Sequence, residues 1–91
     1  MKTLLDILRD SLPNGAELQN EKETTNRFKY DFYYMGKSVK GEICKAVAPG
    51  FEESYVCRAV ATCMSQIYIG AGDMEHGAYW LKIAQVGRMD P

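Results

Sequence analysis

The chain has 91 residues, a formal net charge of -1, and a composition that is 46% hydrophobic and 25% charged. These values describe one ordinary globular domain over residues 1–91 with room for a single core, since a chain this short buries about 60–65% of its unfolded surface. Near-neutral charge excludes the strongly basic character of a generic nucleic-acid binder and leaves only a local patch for such work.

The first ten residues carry Asp6, Arg9 and Asp10 through their apolar part, so they lack the uninterrupted run of a secretory signal. No stretch reaches the roughly 18 uncharged apolar residues of a membrane span, the nearest being Ala59 to Ala71. A cytoplasmic protein with no membrane contact is expected. Thr3 followed by Asp6 is a capping pattern, and Leu4, Leu5, Leu8 and Leu12 recur at helical spacing, which predicts a helix from Leu4 to Leu12. Pro13-Asn14-Gly15 ends it. Ala16 to Asn26 is so polar that only a ragged strand around Glu17 to Glu21 is allowed, and whether it forms is left open.

From Arg27 the period changes to two: Phe28, Tyr30, Phe32 and Tyr34 point one way, and Lys29, Asp31, Tyr33 and Met35 the other. Gly36-Lys37-Ser38 then ends like a nucleotide-phosphate loop. That loop needs a glycine five positions earlier and a helix afterwards; Asp31 holds the first place, and Val39, Gly41 and Ile43 continue a strand instead. The triplet therefore reads as a type II′ bend with Gly36 at the first central position. This turn would set Tyr34 opposite Val39, Phe32 opposite Gly41 and Tyr30 opposite Ile43 on one face. The mainly solvated reverse face would pair Tyr33 with Lys40, Asp31 with Glu42, and Lys29 with Cys44.

Past Pro49-Gly50, Glu52 and Glu53 suit a helix N-terminus, and a helix is predicted from Glu52 to about Ile69 with Cys57, Val60, Ala61, Met64, Ile67 and Tyr68 on one face. Gly70-Ala71-Gly72 breaks it. Asp73 caps a last helix from Met74 to Val86, stopped by Gly87. The expected fold is α+β: an N-terminal helix, an antiparallel β-hairpin or three-stranded meander, then two antiparallel helices on one face of the sheet.

From Arg58 onward the chain resembles one tetratricopeptide repeat. Tyr68 matches the tyrosine of the first helix, Gly72-Asp73 the turn, Gly77 the small residue opening the second helix, Leu81 its large apolar position and Ala84 the later small one. The resemblance spans residues 58–91 and departs from the pattern at Ala61, where tryptophan is usual, and at Met89, where proline closes the repeat. One repeat cannot stack, so the resemblance implies a helix-turn-helix packing unit and not a peptide-binding superhelix. The order of helix, strands and long helix is also similar to a double-stranded RNA-binding domain, but Glu52 and Glu53 stand where that family clusters lysines.

Chemistry is thinly represented. Cys44, Cys57 and Cys63 are an odd number without a CxxC knuckle, and read as buried thiols in a reducing compartment; joined by His76, the only histidine, they have the donor types of a zinc site without its spacing. Asp31 with Glu42 offers a carboxylate pair, which Lys29 and Lys40 beside it would neutralise; Cys57 or Cys63 with His76 offers a nucleophile, in a helix where cysteine acts as a small hydrophobe. Neither supports an enzyme, and no metal or cofactor is implied.

Two binding readings remain. Arg27, Lys29, Lys37, Lys40 and Lys45 against Asp31 and Glu42 give the hairpin a local excess of three positive charges, with Tyr33 available to stack on a base, which makes a nucleic-acid face the alternative. The favoured reading rests on apolar surplus. Met74, Gly77, Ala78, Leu81 and Ala84 suffice to dock the last helix, which leaves Tyr79, Trp80, Ile83 and Val86 as a candidate protein interface. The sequence thus predicts a small protein-protein interaction domain, an adaptor or inhibitor of a larger partner, or a homodimer.

Overall fold

The computed structural model describes residues 3–87; Met89, the closing position of the repeat resemblance, lies outside them. In chain order the elements are α1 (Leu4–Asp10), β1 (Glu17–Glu23), β2 (Arg27–Tyr34), β3 (Lys37–Cys44), α2 (Glu52–Gly70) and α3 (Met74–Val86). The strands form an antiparallel meander in the order β1-β2-β3, so the expected α+β architecture takes its three-stranded form.

The local signals act where the sequence places them. Thr3 Oγ1 accepts from the Asp6 N–H while the Asp6 carboxylate accepts from the Thr3 N–H, each at 3.2 Å, which closes a capping box on α1. The helix stops at Asp10, short of Leu12, since Pro13 disfavours helical backbone in the residue before it, and Ser11 at its end turns its hydroxyl onto the Ile7 carbonyl at 2.7 Å. Asp73 Oδ1 accepts from the His76 N–H at the start of α3, and Gly87 ends that helix with a φ of 81° that a side chain would strain.

The hairpin register differs from the expected one by two residues. The two central residues of the turn are Met35 and Gly36, with φ of 53° and 71°, so it is a type I′ turn and Tyr34 pairs with Lys37. Phe28 then faces Ile43, Tyr30 faces Gly41 and Phe32 faces Val39; on the outer face Lys29 faces Glu42, Asp31 faces Lys40 and Tyr33 faces Ser38. A shift of two preserves which face each residue takes, so the apolar face survives although every partner changes. Gly41 accommodates the Tyr30 ring and not that of Phe32: a Cβ at Gly41 would lie 2.3 Å from Tyr30 Cε1.

The core sits between the sheet and α2. Phe32, Ile43 and Tyr30 from the strands meet Val56, Val60, Cys63, Met64 and Ile67 from α2 and Leu8 from α1, all buried. Helix α2 lies chiefly over β3, and α1 and α3 pack against α2. Helix α3 docks by a different stripe from the one expected. Gly77 comes so close to α2 that a Cβ there would meet Ile69 Cγ1 at 2.5 Å, and its carbonyl accepts from the buried Ser65 hydroxyl at 2.8 Å. With Gly77 at the contact, the following turns bring in Trp80 and Ile83, and Ile83 is 1% exposed. Met74 and Leu81, expected in the core, are 61% and 46% exposed.

Candidate protein-interaction face

The sheet has two edges, and β3 is one of them. In a two-residue hairpin the pair flanking the turn is hydrogen-bonded, so Lys37, Val39, Gly41 and Ile43 bond to β2. The Lys45 N–H, which donates to the Asn26 carbonyl at 2.8 Å, continues that alternation beyond the strand. Ser38, Lys40, Glu42 and Cys44 therefore turn their backbone N–H and C=O groups toward the free edge, and the first three of these residues are exposed.

Beside this edge an open groove of about 450 Å³ separates β3 from α2. Its floor is Gly41 and the Tyr30 ring, and its helix wall is Tyr55, Arg58, Ala59, Thr62 and Gln66. The wall continues past Tyr55 and Arg58 into a second hollow lined by Val47, Ala48 and Phe51. Phe51 is 62% exposed and Tyr55 42%, so that Tyr55 lines the groove beside β3 and Phe51, four residues earlier, lines the hollow that adjoins it. Arg58 also reaches across to α3, where a Cβ on Gly87 would lie 2.8 Å from its Nε.

The residues singled out in the sequence are distributed differently. Of the expected interface on α3, Tyr79 and Val86 are exposed, Trp80 is half-buried against the core with Tyr79 packed edge-on at 5.7 Å, and Ile83 is inside the domain. Of the expected basic face, Arg27, Lys29, Tyr33 and Lys40 do share the outer side of the sheet. Lys37 does not: it pairs with Tyr34 and belongs to the helix side. Lys45 is drawn to Glu23 at 2.8 Å and lies 5.0 Å over the Phe28 ring. Arg27 forms an ion pair with Glu42, and β1 adds Glu17 to the same face through its pairing with Tyr33. Lys22, opposite Lys29, makes four cations against Glu17, Asp31 and Glu42, so the local positive excess shrinks from three to one.

The chemistry-bearing side chains stand apart. Asp31 and Glu42 are not opposite each other, because each faces a lysine. Burial pushes the Cys63 thiol up to about 11 and raises Cys57 as well, with Arg58 opposing, so both favour the neutral thiol. Burial also raises the Tyr30 phenol far above the ordinary tyrosine range. His76 stacks on Tyr68 at 5.1 Å and places Nδ1 2.7 Å from Asp73 Oδ2, a contact within the α3 cap. The His76 backbone N–H, followed by its ring, holds the Asp73 carboxyl below its ordinary range. Among the described residues no three His, Cys, Asp or Glu side chains gather as a metal site.

No family model, curated protein or solved structure matches the chain. The edge and its groove were missed in the sequence because edge position depends on strand order. One signal was present: Phe51 and Tyr55 precede the buried stripe of α2 and are not part of its continuation.

Proposed function

We propose that this domain acts by binding protein, and that the binding face is the free edge of β3 with the aromatic-flanked groove beside it. The observation that carries this reading is the juxtaposition of the outward backbone groups on Lys40 and Glu42 with exposed Tyr55 across the groove, and with exposed Phe51 in the hollow that adjoins it. An incoming strand gains main-chain hydrogen bonds from such an edge and side-chain contacts from the adjoining helix. Exposed aromatics beside an open edge supply rigid apolar area at low entropic cost, as binding anchors do. On the outer face the mixture of lysines and carboxylates favours neither a polyanion nor a polycation, so nucleic acid is the weaker alternative.

Site-specific photo-crosslinking tests the reading. A photoreactive phenylalanine analogue in place of Phe51 or Tyr55, in the full chain and in cells that naturally make it, should give discrete protein adducts. The same analogue at Gln19, on the opposite edge strand, should give none. Adducts to nucleic acid alone, or no protein adduct from either Phe51 or Tyr55, would sink the proposal.

A further inference from the structure

Resting on that reading, we infer that the occupant of the β3 edge is a second copy of this chain, paired antiparallel through β3 about a two-fold axis at Gly41. The inference comes from the sequence of the edge itself. Val39-Lys40-Gly41-Glu42-Ile43 is complementary to its own reverse. Centred on Gly41, Lys40 of one copy faces Glu42 of the other and Glu42 faces Lys40, while Val39 and Ile43 face each other on the helix side. Centring on Lys40 would set lysine against lysine at the axis, and centring on Glu42 would set glutamate against glutamate. Registers one residue off would oppose outward backbone groups to inward ones and mix the two faces.

Three further observations agree with this register. The residues it joins by hydrogen bonds, Lys40 and Glu42, are those whose backbone groups already face outward. Within each copy Asp31 faces Lys40 and Lys29 faces Glu42, so the joined outer surface reads Asp31, Lys40, Glu42, Lys29 across four strands, with alternating sign at every step. At the axis Gly41 presents no side chain, and on the groove wall Ala59 and Thr62 are short enough for the two α2 helices to approach. An isologous contact needs one patch that is complementary to itself, and this patch is.

The test is a charge swap on the full chain, read by sedimentation velocity across a dilution series. Wild type should be a dimer at high micromolar concentration. Lys40→Glu and Glu42→Lys should each raise the dissociation constant at least about tenfold, since each opposes like charges twice. Mixed in equal amounts, the two variants should form a heterodimer with an affinity near that of wild type. Lys40→Pro provides a backbone control, because it removes an outward N–H that β2 does not use; circular dichroism should stay native while the dimer is lost. A wild-type monomer at high micromolar concentration overturns the inference, as does a dimer that the variants do not weaken or that mixing does not restore. If the wild type is monomeric but Tyr55 crosslinks to another protein, the second-copy inference fails and the protein-binding reading stands. If the wild type is monomeric and no protein adduct forms, both fail.

Discussion

The two edges of the sheet are built to opposite rules. Strand β1 is almost wholly polar, and its pairing with β2 slips between Gln19 and Lys22, where Asn20 adopts a positive φ of 53°. At that irregularity the Asn20 side chain is held by Asp31 at 2.7 Å and Glu21 by Arg9 of α1. A bulge, charges and a tether are the usual means of keeping an edge from pairing. Strand β3 carries charges too, Lys40 and Glu42, but no bulge: eight consecutive residues pair with β2 without a break, and the free side lies beside the groove that exposed Tyr55 lines. The proposed pairing draws on this contrast, since it uses the edge left regular in the same sheet in which the other is bulged.

The strongest way to break this comparison is through the core that supports each strand. Ile43→Ala on β3 should cost about 2–5 kcal/mol in denaturant unfolding, whereas Leu18→Ala on β1, only half-buried, should cost clearly less. The same scale applies to α3, where Ile83→Ala should fall in that range and Leu81→Ala should stay within about 0.5 kcal/mol. Equal costs at Ile83 and Leu81 would refute the docking stripe described above. Gly41→Ala comes next, at about 1–3 kcal/mol, because the new methyl group must displace the Tyr30 ring.

A pH effect should follow from Cys63. Its folded pKa is raised from 9.0 to about 11, so its contribution is complete below about 9 and is lost as pH rises toward 11. Cys63→Ala should flatten that part of a stability-versus-pH curve. The smallest effect is the most specific to the edges. In native-state hydrogen exchange the outward amides of Lys40 and Glu42 should slow with increasing protein concentration, while that of Leu18 on β1 should not. Concentration-independent exchange at both edges would remove the distinction between them.

Much of the fold is legible in the residues because local chemistry decides it. Thr3 with Asp6, Asp73 and Gly87 fix helix ends through groups at most four positions away, and the alternation from Phe28 to Tyr34 fixes the buried face of β2. The hairpin register was harder to read, since Met35-Gly36 and Gly36-Lys37 both offer a two-residue turn and both keep the same residues inside. The type I′ geometry needs a positive φ at Met35, which methionine does not advertise. The polar strand β1 carried no apolar period because it faces water and a neighbour, with only Leu18 packed against the core.

By itself the sequence determined the order and class of the elements other than β1, their caps, and the apolar face of the hairpin, all set by interactions within a few residues. Only the tertiary structure decided which stripe of α3 is core, which lysines share a face, and which strand has an open edge. Helix α3 carries two apolar stripes that both border Gly77; its lack of a side chain lets Ile69 and Ser65 of α2 come close, and the packing between the helices then buries Ile83 and leaves Leu81 exposed. An edge, likewise, is a property of strand order and not of any strand. The complementary run from Val39 to Ile43 was visible in the sequence throughout, but it could suggest a pairing only once β3 was found, among the described residues, with no strand on its outer side.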